Sequence, residues 1–376
     1  MTAVPPTVPA VLTRAELGEP GEALAGESGE SVGIHRLTGP LAGNGLLFKQ
    51  YKRTAAQNGR DAALEQLIAF GRSPAAVGRT ERELLLGCTS WPVAKVTDRN
   101  GELVGCLIPE ADRRFRAENG RLREIDTLAQ SDERLAARGV PVTAAQRAAV
   151  CRGLVRVAAA LERRRLVYSD WNYANALWCP ADCSVFVIDI DGCRPERMPN
   201  IFQSDWEDPL TDGAMPADVF TDRYRVALLT ARCLTGHRDL PSVLHALDSA
   251  RDDAVPGRSV LLDMLWAAAR ETRPASRSLL AALDGADVHF PVERLPLPEP
   301  RTQPPRRTAP KVLASDLTVL PDDAPAEDPE DPEDPTDNDP SASPATTDDV
   351  TATAWAVGIV VAVLVALLIV LLARNG

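Results

Sequence analysis

The polar and apolar positions of this chain fall into two periods, and the switch between them orders the elements. Leu46-Leu47-Phe48-Lys49-Gln50-Tyr51 follows the turn signal Gly43-Asn44-Gly45 and predicts a strand. From Asp61 to Phe70 the period lengthens, with Leu64, Leu67 and Ile68 on one helical face. Trp91–Val96 and Glu102–Glu110 then flank the polar turn Asp98-Arg99-Asn100-Gly101 and predict a hairpin. Thr143 is an N-cap candidate for a long helix whose buried face is Val150, Leu154, Val157, Ala158 and Leu161. Arg163-Arg164-Arg165 closes it with charge that suits the negative end of the helix dipole. Val167–Gly192 reads as apolar strand, polar loop, apolar strand and turn. Helical patterns follow at Thr221–Leu234, Pro241–Asp248, Ser259–Glu271 and Pro274–Leu283. Strands first and helices afterwards predict an α+β fold. Residues 111 to 140 are charged and irregularly helical and yield no detailed assignment.

Composition changes this picture at the two ends. Residues 1–25 are rich in Pro, Ala and Glu and are expected to be poorly ordered. Residues 291–353 form a Pro-rich and then acidic tract, expected to be an extended linker because Pro removes helix and strand and like charges repel. The twelve Asp and Glu of residues 321–350 account for the whole formal net charge of -12. The rest of the chain is therefore near neutral, which argues against a nucleic-acid binder. Residues 354–373 carry no charge, and at ~1.5 Å per residue they would span ~30 Å of hydrocarbon as a helix. Trp355 suits one interface and Arg374 the other, so a single transmembrane helix is expected. No apolar run of signal-peptide length opens the chain, and the seven cysteines are read as reduced thiols. A zinc site at Cys179, Cys183 and Cys193 would need a fourth ligand that no nearby His supplies.

Candidate chemistry gathers in Val167–Gly192. Asp170 sits in the polar loop, Asn175 follows five positions on, and Asp189 ends the apolar run Val185-Phe186-Val187-Ile188. Phosphoryl transfer uses such a set. One carboxylate orients the attacking hydroxyl, and an amide with a second carboxylate holds magnesium.

These residues resemble the catalytic core of the protein-kinase-like superfamily, in a bacterial, atypical serine/threonine branch. The resemblance covers residues 26–290 and implies a bilobal fold, with a β-rich small lobe and a helical large lobe. It implies Asp170 as the catalytic base, Asn175 and Asp189 as magnesium ligands, and Mg-ATP as phosphoryl donor. Gly26 and Gly29 fall where the family has its glycine loop over the ATP phosphates, although the full three-glycine pattern is missing. Lys49 matches the phosphate-binding Lys, with Lys52 as competitor, and Glu65 matches its ion-pair partner, with Glu81 and Glu83 as alternatives. The phrase Gly105-Cys106-Leu107-Ile108-Pro109-Glu110 resembles a hinge in which backbone groups near Ile108 to Glu110 meet adenine. Asp222 matches the buried Asp that bonds the catalytic-loop backbone.

The chain also departs from the pattern. Tyr168-Ser169 replaces the His-Arg before the base, Asn172 replaces a Lys after it, and Asp189-Ile190-Asp191 replaces Asp-Phe-Gly. Asp191 either supplies a second metal ligand or starts a turn. The function implied is transfer of the ATP γ-phosphoryl group to Ser or Thr of an unnamed protein substrate. The domain would be cytoplasmic and tethered by the C-terminal helix. A membrane-tethered pseudokinase scaffold and a small-molecule phosphotransferase are the alternatives.

Overall fold

A computed structural model describes residues 8–53, 59–76, 78–200, 203–212, 215–251 and 254–298. The expected transmembrane helix and nearly all of the expected linker lie outside the described residues. Among the described residues no helix is long and apolar enough to cross a membrane.

The first part of the chain is a six-stranded sheet. Its strands are β1 (Val11–Thr13), β2 (Pro20–Ala25), β3 (Ser31–Leu37), β4 (Leu46–Tyr51), β5 (Ala94–Thr97) and β6 (Leu103–Pro109). They lie in the order β1-β5-β6-β4-β3-β2, and only β1 runs parallel to its neighbour, β5. Residues 8–25, expected to be poorly ordered, are thus part of the sheet. Val8, Leu12 and Leu17 are buried, and that apolar anchorage outweighs the Pro-rich composition.

Two helices sit between β4 and β5, α1 (Arg60–Arg72) and α2 (Arg79–Cys88). After β6 come α3 (Asp132–Ala137), α4 (Ala144–Arg163), the short strands β7 (Leu166–Val167), β8 (Ala176–Trp178), β9 (Val185–Val187), β10 (Arg194–Pro195), β11 (Arg197–Met198) and β12 (Ala217–Asp218), then α5 (Val219–Thr235), α6 (Leu240–Ser249), α7 (Arg258–Trp266) and α8 (Ser276–Leu283). One principal sheet followed by a helix-rich part agrees with the α+β expectation.

The two-residue period of β4 decides what each side chain meets. Leu46 and Phe48 face one apolar cluster with Leu12, Val96 and Leu107. Leu47 and Tyr51 face the other, with Leu64 and Ile68 of α1. Lys49 shares that second face by parity. Gly105 of β6 is required here, because a Cβ at that position would collide with the Lys49 carbonyl.

The main core joins α4 and α5, with Leu154, Val157 and Leu161 against Leu228 and Leu229. Thr143 caps α4 as expected, its Oγ1 accepting from the Gln146 amide at 3.1 Å while Gln146 Oε1 accepts from the Thr143 amide at 3.0 Å. Such a reciprocal cap contributes about 1 kcal/mol. Behind α5, Arg273 and Asp208 form a fully buried pair, with Nη2 2.7 Å from Oδ1 and a second bond from Nη1 to Oδ2. This pair ties residues after α7 to the segment before β12.

Candidate functional site

A cleft of about 1030 Å³ separates the sheet from the helix-rich part. Leu24, Ile34 and Leu47 line it from the sheet, and Ile188 and Asp189 line it from the end of β9. The loop from Tyr168 to Asn175 runs between β7 and β8, and its Asn175 carbonyl accepts from the Ile188 amide at the end of β9.

That loop is held in a costly shape. Ser169 has φ 62°, a left-handed conformation that side chains other than Gly adopt rarely. Its surroundings over-determine it. Asp222 accepts from the Tyr168 amide at 2.8 Å and from the Ser169 amide at 2.6 Å. Arg225 donates to the Ser169 carbonyl and, at 3.0 Å, to its Oγ. Burial pushes the Asp222 carboxyl up to about 7, even against those two amides. The expected role of Asp222 as a buried clamp on this backbone is what the contacts describe.

Asp170 follows at once. It accepts from Asn172 Nδ2 at 2.8 Å, from Asn175 Nδ2 at 2.6 Å and from Gln203 Nε2. The Ile188 amide donates to the Asn175 carbonyl at 2.9 Å, which sets Asn175 beside the end of β9. The spacing of five between Asp170 and Asn175 is therefore a loop that closes on itself. Gln203 had no signal in the sequence, since it reaches Asp170 from 33 residues away.

Asp189 also sits in the left-handed region, at φ 65°, which Asp tolerates better than most residues. Lys49 Nζ lies 2.5 Å from Asp189 Oδ1 and 2.9 Å from Asp191 Oδ1. Burial would lower the Lys49 ammonium, but Asp191 and Asp189 together hold it well above its ordinary value. Lys49, not Lys52, meets the cleft-lining Asp189; Lys52 pairs with Glu27 at 2.8 Å.

Glu65 is a correction. It does not meet Lys49; its Oε1 is 2.6 Å from Lys95 Nζ, which also binds Asp61 at 2.8 Å. The alternative Glu81 faces Arg163 and Arg164 instead. The reason is the phase of α1. Its buried face is Arg60, Leu64, Leu67 and Ile68, and Glu65 is one position off that stripe.

The partner of Lys49 is Asp191, whose side chain is 0 % exposed. Tyr51 Oη donates to Asp191 Oδ2 at 2.8 Å, and Arg60 Nη1 donates to it at 3.0 Å. Burial alone would raise this carboxyl; Lys49 and Arg60 hold it below the usual range. Asp191 lies within a short 3₁₀ turn, Ile190–Gly192, but it is far more than the start of a turn. With both oxygens committed to donors it is not placed as a second metal ligand.

Glu110 lines the cleft beside Ile108 and Pro109. Its amide donates to the Gly45 carbonyl at 2.8 Å, and its carboxylate bridges Arg36 at 3.0 Å and Arg116 at 2.9 Å. Its backbone N–H is therefore not available to adenine. Ile108 pairs with Leu47 across β4 and β6 and lines the cleft. Gly26 and Gly29 lie in the turn between β2 and β3, and no atom lies within 4 Å of a Cβ built on either. Packing of the fold does not itself demand glycine there.

A magnesium ion would find two oxygen donors. Asn175 has Nδ2 committed to Asp170, which turns Oδ1 into the atom for a hard cation, and Asp189 is 41 % exposed with only Oδ1 held by Lys49. No group of three or more His, Cys, Asp or Glu that could hold a metal occurs among the described residues. Asn175 Oδ1 and Asp189 Oδ2 would be the donors for a cation that takes its remaining ligands from phosphate and water, as magnesium does. Cys179, Cys183 and Cys193 do not form a zinc site.

No protein-family model matches the chain, and no curated protein matches its sequence.

Proposed function

We propose that the chain is a protein-kinase-like phosphotransferase that uses Mg-ATP. The observation that carries this reading is the pairing of Lys49 with Asp189 across the cleft, 140 residues apart, beside the hydrogen-bonded pair Asp170 and Asn175. Lys49 would neutralise the α- and β-phosphates. Asp170 would orient the acceptor hydroxyl and accept its proton, with Asn172, Asn175 and Gln203 fixing its two oxygens. Magnesium, when bound by Asn175 and Asp189, supplies neutralisation of charge on the transferred group. Gly26 and Gly29 leave the turn above the cleft open to a phosphate, since no side chain fills it.

The acceptor is read as Ser or Thr of a protein, held near a membrane by residues 354–373. A pseudokinase scaffold is the second reading. It is favoured by the incomplete glycine pattern at Gly26 and Gly29 and by Asn172 standing where a Lys would follow the base. The test is transfer of labelled γ-phosphate from Mg-ATP by the full-length chain to itself or to a generic basic protein. Transfer that disappears with Asp170→Ala supports the kinase reading. Thermal stabilisation by Mg-ATP without transfer supports the scaffold, and the absence of both transfer and stabilisation would discard the nucleotide site.

A further inference from the structure

Helix α1 brings a cation to the buried Lys49–Asp191 pair. Arg60 heads the buried face of that helix, its side chain is 1 % exposed, and its guanidinium lies over the Tyr51 ring at 4.5 Å. Nη1 holds Asp191 at 3.0 Å, and Nη2 donates to Glu30. Nε is buried and has no hydrogen-bond partner among the described residues. A buried guanidinium N–H without a partner costs free energy; Arg232, Arg270 and Arg273 share that feature, and what sets Arg60 apart is the half-exposed carboxylate on the same edge.

The geometry of the group gives that orphan a meaning. Nε and Nη2 form one edge of the planar fork, suited to two oxygens of one anion. Glu30 takes only Nη2. It belongs to the turn between β2 and β3, and its side chain is 44 % exposed, so it can leave toward water. Asp191 is 0 % exposed and held by three donors, so it stays. The cations gathered here are Lys49, Arg60 and Arg194, against Asp189, Asp191 and Glu30. Displacing Glu30 removes one negative charge from this group and leaves the Nε–Nη2 edge of Arg60 for an anion.

We propose that Arg60 is a second cationic ligand for the phosphates of a nucleoside triphosphate, with Glu30 as the stand-in that its Nε–Nη2 edge releases on binding. The inference rests on the nucleotide reading of the cleft. It differs from that reading in placing a phosphate-binding side chain on α1.

The test is titration of the full-length chain in detergent with Mg-ATP and, separately, with adenosine. Arg60→Met should weaken Mg-ATP at least tenfold and change adenosine less than twofold. Glu30→Gln should tighten Mg-ATP severalfold, because the edge is freed. The opposite signs matter, since a latch that only shapes the turn would make both variants weaker. Unchanged Mg-ATP affinity in Arg60→Met, or weakening in Glu30→Gln, overturns the proposal. If Arg60→Met does not fold, Glu30→Gln decides alone, with tightening as support and no change or weakening as refutation. Wild-type protein that binds neither probe would remove the nucleotide site itself, and the inference with it.

Discussion

Asp191→Asn removes one buried negative charge and little volume. Three donors converge on the carboxylate, Lys49 at 2.9 Å, Tyr51 at 2.8 Å and Arg60 at 3.0 Å. An Asn amide offers one acceptor oxygen, and its NH₂ turns donor against donor. Lys49 and Arg60 have side chains 4 % and 1 % exposed, so neither cation can recover hydration without opening the fold. Removing one partner of such a buried cluster costs about 3–5 kcal/mol. At roughly 2–4 °C per kcal/mol for a body of this size, the midpoint should fall by about 10 °C. The assay is thermal unfolding of the full-length chain by circular dichroism, with Glu65→Gln alongside. Glu65 is 56 % exposed and shares Lys95 with Asp61, so its loss should cost no more than about 1 kcal/mol. Adding Lys49→Met to Asp191→Asn should recover part of the loss, with a coupling of about 0.5–3 kcal/mol. A midpoint within 2 °C of wild type, or a fall no larger than that of Glu65→Gln, would refute the view that Asp191 anchors Lys49.

Three further outcomes follow from other contacts. Asp170→Asn cannot take a proton, so phosphoryl transfer should fall by ~10²–10⁴, while the thermal midpoint falls less than in Asp191→Asn because Asp170 is half-buried and its donors are neutral amides, read by γ-phosphate transfer beside unfolding. The buried Asp208 holds Arg273 through two bonds, and Asp208→Asn should cost about 3–5 kcal/mol in urea unfolding; a loss below 1 kcal/mol would contradict it. Asp222 has its folded value pushed by burial to about 7, above the usual Asp value, so the folded state holds the proton more tightly. Its contribution is therefore complete below about pH 4 and is lost as pH rises through about 7. Urea unfolding at pH 5 and pH 8 should show a stability decline in wild type that is smaller in Asp222→Asn, and equal slopes would rule this out.

Much of this site could be read from residue spacing, and the parts that could not share a physical cause. Lys49 lies on a strand whose period fixes the direction of its side chain, whereas Asp170, Asn175 and Asp189 stand in loops at the ends of short strands and were marked by spacing alone. Lys49 shares parity with Leu47 and Tyr51 on β4, so its side of the sheet followed from alternation alone. Asp222 was legible because it lies in the first turn of an apolar helix, which Asp218 caps. Glu65 failed because spacing from Lys49 was weighed above the phase of α1. Arg60, Leu64, Leu67 and Ile68 stand at i, i+4, i+7 and i+8, and that stripe pointed to Arg60. Asp191 and Gln203 were harder. One gains its role from donors 131 to 142 residues away and the other from a base 33 residues away, and no local pattern encodes such distances. The strands within residues 8–25 were hidden by Pro-rich composition, because burial of Val8, Leu12 and Leu17 depends on a sheet formed later in the chain.

The exchange of Glu65 for Asp191 changes what could control the site. In protein kinases the helix that supplies the ion-pair Glu can withhold it by moving, and so misplace the Lys. Here the anchoring carboxylate is two residues from Asp189, within one 3₁₀ turn, so Lys49 and the expected metal ligand are set by the same segment. Displacing α1 would not take the carboxylate away. It would take Arg60 away, stripping a cation from Asp191 and from Glu30 at once. The helix would then act on charge balance beneath the turn of Gly26 and Gly29, leaving the Lys49–Asp191 contact in place. A shift of α1 should therefore alter affinity for the triphosphate more than the position of Lys49, which is the reverse of what a helix-borne Glu would give.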